Sequence, residues 1–572
     1  MMANNVTIRL AMRLELDRFL NTWLREFQPA VSHSLRPDRD IEIPVGDLTI
    51  VAKCSRYSPS GFHRFDERLV VRDRDGSGPV KDVSALATLL LTRQADISSE
   101  QIADVLHRLR QSSAASAEHA IFQAAGKPGI SAIELEQSLW FGHPFHPLAK
   151  SVGGFGEDDT SDYAPERAAR FQLRWLLVHR RHVAEYQRNR QRLAELDLLL
   201  LAASGLSQRD LGDYILFPCH PWQARFLEAD PDIASHIRTG EMRLIGTHGD
   251  VAVPTSSVRT VWFPERKLFV KLPIEATITN FPRVNTNEQI ARSIAGAHAV
   301  AIARTAIVNA GLTVLDEPAG RIVRIQKDDG VSRYHPETGY LLRDADFGAG
   351  SLPQVVAGLL ETNPLSGKAN LAAVCGYRLK EQDGEERWLE AYIRVALLPL
   401  LRLFSTTGIA LEAHAQNSLV RFVDGWPQRL YVRDLEGIAV DRDVFERCFN
   451  VEAAVLDQAL FYDRETAWKR LLYYVVVNHF SHVVATVADV SGSDEADLWI
   501  KARSGLERFS EVAAVQDLLA ANTLPAKANL RSCLGGHADM PSYVQIPNPF
   551  HAARMPAGLH AESIEYTEAR MI

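Results

Sequence analysis

Polar side chains recur at every second position in a short stretch of the last third of the chain, and this pattern constrains the fold most. Glu412, His414, Gln416 and Ser418 alternate with other residues, and side chains two residues apart on a β-strand share one face. The residues DGWPQ at 424–428 are typical of a turn. The sequence therefore predicts a β-hairpin with a strongly polar face.

The return strand of this predicted hairpin carries two acids, Asp434 and Glu436, which would share one face. Pairing the strands would bring carboxylates, an imidazole and amides together, which is the oxygen-rich set that Mg²⁺ and a nucleotide triphosphate require. The alternative is the solvated face of an ordinary half-exposed hairpin, because such a face shows the same alternation. The pattern alone leaves both interpretations open.

A second group of polar residues surrounds another predicted hairpin, with strands at 261–263 and 268–272 and a turn at 264–266. Its members supply three fixed positive charges and several hydrogen-bond donors: Ser257, Arg259, Lys271, Thr279, Asn280 and Arg283. Arg binds phosphates and carboxylates through two hydrogen bonds and Lys acts as a point charge, so the set suits a triphosphate or a polycarboxylate. The alternative is that these residues are ordinary surface charges at hairpin edges.

Two proline-rich segments carry histidines: GHPFHPLAK at 142–150 and HPWQ at 220–223. The prolines of the first segment keep it out of regular helix, and proline-locked loops could present His143, His146 and Lys150 to an anionic substrate. A zinc site is disfavoured because no Cys or carboxylate stands at zinc-site spacing. His-Pro pairs also occur as simple turn packing, and that alternative stays open.

The composition limits the architecture and the partners. A chain of 572 residues with 46% hydrophobic residues exceeds the size at which one core keeps growing, so two or three domains are expected. A net charge of −8 argues against nucleic acid as the main partner. The five cysteines are scattered singly and are read as reduced thiols. The N-terminus has no uninterrupted apolar core and other apolar runs fall short of the roughly 20 residues that cross a bilayer, so we expect a cytoplasmic protein without membrane contact.

Helix and strand signals are mixed along the chain, which indicates an α+β fold. The patterns predict helices at the N-terminus, at 99–111, at 165–203 as one long polar-faced helix, at 287–310 and at 388–404. Strands are predicted at 48–53 and 68–72. Ser131 and Glu134 form the signature of a capping box for a helix that ends near Trp140, with Gly142 placed to terminate it.

The order of the motifs GHPFHPLAK, HPWQ, PTSSVRT, KLPIEATITNFPR, EAHAQN and RDLEG resembles the NRPS-independent siderophore synthetases of the aerobactin-synthetase type. The likeness runs from about residue 143 to the end of the chain, and it includes KANLRSCLGG and VQIPNPF near the C-terminus. No single motif decides the family, but their joint order is specific.

The resemblance implies a cupped-hand architecture of three domains, usually found as a homodimer. It places a thumb-like domain at 1–160, a fingers domain with the ATP and carboxylate hairpin at 161–386, and a palm domain with the metal and nucleotide site and a helical C-terminal region at 387–572. Such enzymes use ATP and Mg²⁺ to adenylate citrate or a related carboxylate. They then pass the acyl group to an amine or hydroxyl, so that AMP and pyrophosphate are released.

By motif matching, the resemblance also assigns residues to the site. The pocket for ATP and the carboxylate would be lined by Ser257, Arg259, Lys271, Thr279, Asn280, Arg283, His414, Gln416 and Asn417. The predicted catalytic residues are Lys271, Arg283 and His414, the predicted substrate-binding residues are His143, His146 and Lys150, and the predicted metal ligands are Glu412, Asp434 and Glu436. Residues 151–155, SVGGF, lack the basic residue that often follows this position in the family, which leaves the identities of the carboxylate and the acceptor open.

Two other functions fit parts of the sequence. A kinase-like small-molecule phosphotransferase would use Lys271 on a strand and His414 followed by Asp434, but no Gly-rich phosphate loop precedes Lys271 and the catalytic-base Asp is missing. A ferric-siderophore binding or reducing protein would require clustered cysteines for an iron–sulfur site, and Cys533 stands alone in its region. The sequence therefore favours the ligase.

Overall fold

The computed structural model describes residues 2–552, except 37–38, 67–68, 74–75, 95, 127–128, 279–280, 327–329, 452–457 and 536–541. Antiparallel sheets dominate the first two thirds of the chain and helices dominate the last third. The predicted α+β class is confirmed.

The N-terminal part of the chain packs helices against a five-stranded antiparallel sheet. Its helices are Met2–Phe27, Pro29–Ser34, Val83–Leu91, Ser99–Ala125, Ala132–Glu136 and Glu157–Tyr163. Its strands are Asp40–Val45, Leu48–Arg56, Arg64–Phe65, Val70–Asp73 and Gly76–Pro79. Buried and more exposed positions alternate along the first two strands, as expected of a sheet with one face on the core.

An eight-stranded antiparallel sheet forms the middle of the molecule. In spatial order its strands are Val183–Gln187, Ala319–Gln326, Ser332–Asp344, Leu268–Lys271, Thr260–Phe263, Met242–Pro254, Phe171–His179 and Tyr214–Cys219. The helices of this part are Arg190–Ser204, Gln208–Leu211, Pro221–Ala229, Pro231–Arg238, Asn287–Ile302 and Arg304–Ala310. A separate three-stranded sheet consists of Val152–Gly153, Ile274–Ile278 and Phe281–Arg283.

The last third of the chain is mainly helical. Its helices are Val356–Leu360, Leu371–Leu379, Gly384–Tyr392, Leu398–Thr407, Arg442–Phe449, Arg464–Leu471, Ser481–Ser491, Glu495–Glu507, Ala513–Ala520, Asn529–Gly535 and Pro549–Ala552, with π-helical stretches at Ile393–Leu397 and Leu472–Phe480. A four-stranded sheet has the order Leu312–Val314, Trp426–Val432, Ser418–Val423 and Gln354–Val355. The remaining strands are Ile409–Ala410, Ala439–Asp441, Phe461–Tyr462, Thr523–Lys527 and Tyr543–Pro547.

Buried apolar side chains of the described residues form three large clusters. One lies in the N-terminal part and includes Leu530 and Leu534 from near the C-terminus. A second belongs to the eight-stranded sheet and its helices, and the third and largest unites most of the last third of the chain. Residues 530–534 therefore pack against the N-terminal part of the chain. The domain limits at 160 and 386 stay a prediction.

The predicted helix over 165–203 is wrong in its first half. Phe171–His179 and Val183–Gln187 are strands, and the helix begins only at Arg190. The strand Phe171–His179 has an antiparallel partner on each side, and Trp175 is fully buried within it. Leu and Arg favour helix, but this preference is weak, and pairing on both edges together with burial outweighs it.

The hairpin predicted around 261–272 is confirmed. Thr260–Phe263 and Leu268–Lys271 pair antiparallel on either side of the 3₁₀ turn Pro264–Arg266. The capping box of Ser131 and Glu134 is also present, but the helix ends at Glu136 rather than near Trp140. The helix predicted over 287–310 is interrupted at Ala303 and forms two helices.

One helical stretch of the described residues, Arg464–Ser491, is long and apolar enough to cross a membrane by length and composition alone. In the structure 89% of its apolar window is buried inside the protein. Its side chains belong to the largest apolar cluster, which is the environment of a core helix.

A single buried arginine fastens the helix Arg190–Ser204 to the eight-stranded sheet. Arg321 lies on the strand Ala319–Gln326 and donates hydrogen bonds to both carboxylate oxygens of Asp197, at 2.6 and 2.7 Å. It also donates to Glu185 at 2.8 Å. Hydrogen bonds between charged groups contribute about 1.5–3 kcal/mol each at most, so this network is a principal tie between the helix and the sheet.

We expect Arg321→Met to lower the midpoint of thermal unfolding by several degrees, because the methionine keeps the packing volume but removes these hydrogen bonds. The matched control is Arg324→Met on the same strand, where the side chain is exposed and the midpoint should not move. Differential scanning calorimetry at one scan rate measures both variants. Equal midpoints for Arg321→Met and the unmodified protein would show that the network contributes nothing to stability.

Candidate functional site

A cavity of about 930 Å³ is lined jointly by the eight-stranded sheet, the loop after Ala132–Glu136 and the last third of the chain. Its wall contains these residues that the sequence assigned to the site: His143, Lys150, Ser257, Arg259, Lys271, Arg283, Glu412, His414, Gln416, Asn417, Asp434 and Glu436. His146 lines a smaller neighbouring cavity instead. Thr279 and Asn280 lie outside the described residues, and their assignment stays a prediction.

Lys271 connects the two groups of residues predicted from the sequence. It ends the strand Leu268–Lys271, and only 4% of its side chain is exposed. Its ammonium donates hydrogen bonds to Asp434 at 2.9 Å and to Glu436 at 3.1 Å. One buried cation therefore holds two carboxylates from the last third of the chain against the middle sheet.

These contacts set the charge states of the cluster. Burial works against the charged form of Lys271, but the carboxylates of Asp434 and Glu436 outweigh it and raise the pKa of the ammonium. Burial likewise works against the charged form of Asp434, yet Lys271 and Arg343 hold its pKa well below the usual range of an aspartate. Lys271 and Asp434 are therefore both charged near neutral pH.

The strand faces predicted for the acids and for His414 are wrong, although the residues do meet. The hairpin strands are Ser418–Val423 and Trp426–Val432, so Glu412 and His414 precede the first strand and Asp434 follows the second. A hairpin returns the chain to the place where it started, which brings the two flanking segments together at one end. Loops next to the strands, rather than strand faces, therefore carry the polar groups.

A second buried ion pair stands behind Asp434. Arg343 donates a hydrogen bond to Glu317 at 2.6 Å and lies 3.5 Å from the second carboxylate oxygen of Asp434. Glu317 is fully buried and also accepts a hydrogen bond from the backbone N–H of Leu435 at 3.1 Å. The sequence analysis missed both residues, because nothing in the pattern around either one marks it as the partner of the other.

His414 is held in one orientation by its own loop. Its Nδ1 accepts hydrogen bonds from the backbone N–H groups of Gln416 and Asn417, each at 3.2 Å, so the ring proton resides on Nε2. Burial lowers the pKa of His414, which leaves the imidazole neutral near pH 7. The Nε2 lies 3.8 Å from the carboxylate of Glu412. The loop thus offers the cavity one neutral N–H donor.

Arg259 positions the segment that contains Arg283. Its Nη1 donates hydrogen bonds to the carbonyls of Arg283 and Val284, at 3.0 and 2.9 Å, and to the side-chain oxygen of Asn285 at 2.7 Å. Asn285 is fully buried and donates in turn to the carbonyl of Lys271 at 3.2 Å. Burial, and the nearby charge of Arg259, lower the pKa of Arg283 to about 10. The sequence analysis did not identify Asn285, which ties this segment to the strand of Lys271.

Serines and an ion pair close the far side of the cavity. The hydroxyl of Ser257 accepts a hydrogen bond from the backbone N–H of Thr260 at 3.0 Å. The carbonyl of Ser256 accepts one from Gln416 at 2.8 Å. Arg433 and Glu136 form a buried ion pair with hydrogen bonds of 2.6 and 3.0 Å, and Glu136 also accepts from Ser256. This pair joins the helix Ala132–Glu136 to the last third of the chain, and the sequence analysis did not anticipate it.

The loop 142–150 brings its polar residues to the boundary of the two cavities. His143 lines both, and its Nε2 lies 2.6 Å from the amide of Asn478. Burial lowers the pKa of His143 well below its usual value and that of His146 to about 3, so both rings are neutral. Lys150 forms a buried ion pair with Glu166. Any anion that reaches Lys150 therefore meets an ammonium that already has a counter-ion.

Glu412 occupies space that only a glycine leaves open. A β-carbon built on Gly437 would lie 1.3 Å from one carboxylate oxygen of Glu412. No described residue donates a hydrogen bond to that carboxylate, which stands at the shared wall of the two cavities. Because Gly437 of the RDLEG motif has no side chain, it leaves room for the carboxylate of Glu412 at this position.

Positive charge predominates around the large cavity. Eight lysines and arginines line it against six aspartates and glutamates. Two of the cations, Arg292 and Arg470, both donate to the hydroxyl of Tyr462, at 2.7 and 2.9 Å, and neither was predicted. Arg343 and Arg433 already have buried counter-ions in Glu317 and Glu136, so the cations that suit a polyanionic ligand are the others, among them Arg259 and Arg283.

The three predicted metal ligands do not form a closed metal site. Among the described residues, the only group of at least three His, Cys, Asp or Glu with ligand atoms within 4.8 Å of one another is Asp230, His335 and Glu337. Lys271 stands between Asp434 and Glu436 instead. Their role as metal ligands stays a prediction.

Comparison with known proteins identifies the family. Residues 131–361 match the model of the IucA / IucC family. An L-2,3-diaminopropanoate–citrate ligase of Staphylococcus aureus is 32% identical, and the match covers 99% of this chain and 100% of the relative. The chain belongs to the IucA/IucC family of siderophore synthetases. It is therefore an enzyme of the ligase class that serves siderophore biosynthesis.

Two further comparisons agree with this assignment. A spermidine–citrate ligase of Bacillus anthracis is 26% identical over 88% of both chains. The solved structure of ATP-bound aerobactin synthetase IucA from Klebsiella pneumoniae superposes on this synthetase with a TM-score of 0.83 and 23% identity, over 94% of this chain and 99% of the other. The predicted cupped-hand fold is confirmed by this likeness.

The C-terminal part also matches a second family model. Residues 386–542 match the model described as ferric iron reductase FhuF-like transporter. Cys448 is exposed and Cys533 is buried, and no cysteine of the described residues belongs to a cluster of potential metal ligands. The geometry therefore provides no iron–sulfur site for a reductase in the described part of this synthetase.

We expect Gly437→Ala to impair catalysis without unfolding the synthetase. The new methyl group would displace the carboxylate of Glu412, which is the mobile end of a side chain, so the fold can adjust while the cavity cannot. The control is Gly376→Ala, where the nearest atoms lie at 3.7 Å and the added methyl is accommodated. Steady-state kinetics and the thermal midpoint measure both effects. Full activity in Gly437→Ala would mean that the position of Glu412 is unimportant.

Proposed function

We propose that this synthetase adenylates citrate, or a closely related polycarboxylate, with ATP in the large cavity and then couples it to an amine. The observation that carries the proposal is the buried ion cluster in which Lys271 contacts Asp434 and Glu436, with Arg259 and Arg283 beside it. The citrate ligases among the relatives support citrate as the carboxylate. The volume of about 930 Å³ is in the range of sites that enclose a nucleotide-sized ligand.

ATP and a polycarboxylate are both anions, and bringing them together requires fixed positive charge. Lys271, Arg259 and Arg283 provide it from one side of the cavity, and Arg292 and Arg470 provide it from another. Lys271 and Arg259 are buried and Arg283, Arg292 and Arg470 are half-buried. All five are held by hydrogen bonds before substrate arrives, so little reorganisation is needed during the reaction. This arrangement supports the transfer of a nucleotidyl group between two anions.

The donor set also fits Mg²⁺. Asp434 and Glu436 supply hard carboxylate oxygens close together, and the carboxylate of Glu412 has no hydrogen-bond donor among the described residues. We propose Asp434 and Glu412 as its ligands, with Glu436 as an additional candidate. When bound, Mg²⁺ would neutralise triphosphate charge. Lys271 would then be freed from the acids to contact phosphate oxygens.

In the first step, a carboxylate oxygen of citrate attacks the α-phosphorus of ATP, and the bond from that phosphorus to the bridging oxygen of the β-phosphate breaks. Pyrophosphate leaves with the electron pair, and the acyl-adenylate remains. Lys271 and Arg283 would stabilise the charge that develops on the phosphate oxygens. The Nε2–H of His414 would donate to the same region and hold the reacting carboxylate in place.

In the second step, the nitrogen of an uncharged amine attacks the acyl carbon, and the bond to the AMP oxygen breaks. AMP leaves with the electron pair, and the nitrogen transfers one proton to solvent or to the departing phosphate to give the amide. His143 and His414 are neutral, so they can hydrogen-bond to the reactants without repelling the cationic form of an arriving amine. A hydroxyl acceptor would give an ester by the same route.

We also propose that the synthetase is a homodimer and that it is located in the cytoplasm. This oligomeric state and this location are expected for a biosynthetic enzyme of this family that consumes ATP. Light scattering during size-exclusion chromatography measures the oligomeric state.

The nucleotide product tests the reaction. With citrate and ATP we expect exchange of labelled pyrophosphate into ATP, and with hydroxylamine added we expect AMP, pyrophosphate and a citryl hydroxamate, because attack occurs at the α-phosphate. A kinase-like enzyme attacks the γ-phosphate and would release ADP. Chromatography of the nucleotides distinguishes the two outcomes, and citrate-dependent ADP from contaminant-free protein would disprove adenylation.

Asp434→Asn tests the metal assignment. Asp434 has φ 73°, a left-handed conformation that asparagine also tolerates, so the variant keeps the backbone and removes only the charge. We expect the Mg²⁺ concentration at half-maximal exchange to rise at least about tenfold, because a hard cation prefers the anionic ligand. Asp424→Asn is the control, since Asp424 is exposed and also has a positive φ of 51°. An unchanged Mg²⁺ titration for Asp434→Asn would make Asp434 structural.

A further inference from the structure

Three side chains away from both cavities bring potential metal ligands together. Asp230, His335 and Glu337 each offer one ligand atom, and these atoms lie within 4.8 Å of one another. Among the described residues, no other three His, Cys, Asp or Glu approach one another so closely. None of the three lines the large cavity or its smaller neighbour, so the group is separate from the site proposed for ATP and Mg²⁺.

A bulged strand places two members of this group. His335 and Glu337 lie on the strand Ser332–Asp344, whose pairing with its neighbour shifts register between residues 335 and 340. A bulge bends a strand and re-aims its side chains. Here one carboxylate oxygen of Glu337 lies 2.9 Å from the Nδ1 of His335. The two side chains therefore face the same point beside the strand.

A helix cap supplies the third member. Asp230 immediately precedes the helix Pro231–Arg238. Its Oδ1 accepts hydrogen bonds from the backbone N–H groups of Asp232 and Ile233, each at 2.9 Å, and these bonds hold the carboxylate in place. No described residue donates a hydrogen bond to its Oδ2, so that oxygen is open to another partner.

The ring of His335 cannot match both of its nitrogens within the described protein. The residue is only 6% exposed, and its buried Nε2 has no hydrogen-bond partner among the described residues. If the ring proton is on Nδ1, it serves Glu337 and leaves a buried lone pair on Nε2, 3.9 Å from the carboxylate of Asp232. If the proton is on Nε2, that distance is too long for a hydrogen bond, and the lone pair of Nδ1 faces an anionic oxygen at 2.9 Å. A cation beside Nδ1 and Glu337 turns this last contact into an attractive one.

The negative charge of the group also lacks a counter-ion. No lysine or arginine of the described residues forms an ion pair with Asp230 or Glu337, and Asp232 lies beside the same imidazole. The N-terminus of the helix offers about half an elementary charge, which offsets only part of three carboxylates. A second proton on His335 would serve Glu337 and Asp232 but would leave Asp230 without a partner. A divalent ion provides two charges and takes ligands from all three members of the group.

The donor types and their spacing indicate a divalent transition metal. Zinc binds imidazole nitrogen and carboxylate oxygen at about 2.0–2.2 Å, so two ligands at a right angle lie about 3 Å apart. The 2.9 Å between Nδ1 of His335 and Glu337 matches this spacing. Metal-bound histidines usually present their other ring N–H to a carboxylate, which is where Asp232 stands relative to Nε2. Mg²⁺ and Ca²⁺ prefer oxygen ligands, so the imidazole favours a metal of the zinc kind.

We propose that Asp230, His335 and Glu337 bind one divalent transition-metal ion, for which Zn²⁺ is the probe, and that Asp232 orients the imidazole. The ion joins the start of the helix Pro231–Arg238 to the bulged strand. Its ligands line neither cavity, so its role is structural.

The bulge that holds the ion also supports the large cavity. The backbone N–H of Asn285 donates to the carbonyl of Pro336 at 3.2 Å, and its side chain donates to the carbonyl of Gly339 at 2.8 Å. The same side chain accepts a hydrogen bond from Arg259 and donates one to the carbonyl of Lys271. An ion at the bulge therefore stiffens the segment on which the position of Asn285 depends.

Zinc binding to the full-length synthetase tests the inference. Chelator-treated protein is titrated with Zn²⁺ or with Ca²⁺ against a chromophoric chelator, without substrates and in excess Mg²⁺, which competes for the acids of the large cavity. The site variants are Asp230→Asn, whose amide still caps the helix, and Glu337→Gln, which keeps the size of the side chain. The matched controls are Asp463→Asn, at another helix cap, and Glu241→Gln, beside His182.

We expect the native protein to bind one Zn²⁺ per chain, and more tightly than Ca²⁺. Each site variant should weaken zinc binding about 100-fold or more, because loss of even an outer partner of a metal ligand costs about 10- to 100-fold. Both control variants should bind zinc as the native protein does. Zinc should raise the midpoint of thermal unfolding of the native protein and the controls, and raise it much less in the two site variants.

Three results would overturn the inference: no stoichiometric zinc on the native protein, unchanged zinc affinity in either folded site variant, or tighter binding of Ca²⁺ than of Zn²⁺. Circular dichroism establishes that each variant is folded. The inference does not rest on the proposed function, because zinc affinity and the thermal midpoint are measured without ATP or citrate. Failure of adenylation would therefore leave the metal site standing, and the reverse also holds.

Discussion

The contact of one buried ammonium with two carboxylates, Lys271 with Asp434 and Glu436, organises the rest of the site. Each partner comes from a different part of the fold, so the cavity is complete only when the middle sheet and the last third of the chain are docked. Ion pairs of this kind are specific in geometry but add little net stability, since the cost of desolvation offsets their attraction. The large apolar clusters supply the stability, and the ion cluster sets the register in which the parts meet.

The cluster also explains how a cavity rich in charge can exist without substrate. Arg343 and Glu317 neutralise each other behind Asp434, and Arg433 and Glu136 do so on another wall. The protein thereby keeps its cations charged and fixed, while the acids act as internal counter-ions. An arriving polyanion with its metal ion can exchange partners with this cluster rather than create charge in a buried space, which lowers the cost of binding.

The two adjoining cavities divide the chemistry in space. Eight lysines and arginines line the larger cavity and four line the smaller one, and in both cavities several of them are paired with acids of the protein. The wall between them is made of neutral histidines, an amide and one carboxylate that Gly437 accommodates. A reactive acyl group held at this wall would meet an amine from one side only, which is the positional control that makes bimolecular condensation efficient.

The sequence by itself determined much of this protein. The motif order indicated the family, turn signals placed both hairpins, and the residue types of Lys271, Arg259, His414 and Asp434 indicated an anion site. Local signals of this kind predict the structure correctly because turns and caps are formed by residues that are neighbours in the sequence. They failed at 165–187, where burial and pairing on both edges of Phe171–His179 outweighed a helical pattern.

Only the tertiary structure decided which charges are paired and which are available. Lys150, predicted from the sequence to bind substrate, is paired with Glu166, while Lys527, the first residue of the motif KANLRSCLGG, donates a hydrogen bond to the hydroxyl of Tyr474. The sequence pattern likewise did not identify Glu317, Arg343 or Asn285 as residues of the site. The physical reason is that the charge state and availability of a side chain depend on burial and on partners far away in the chain, and neither is encoded in the spacing of neighbouring residues.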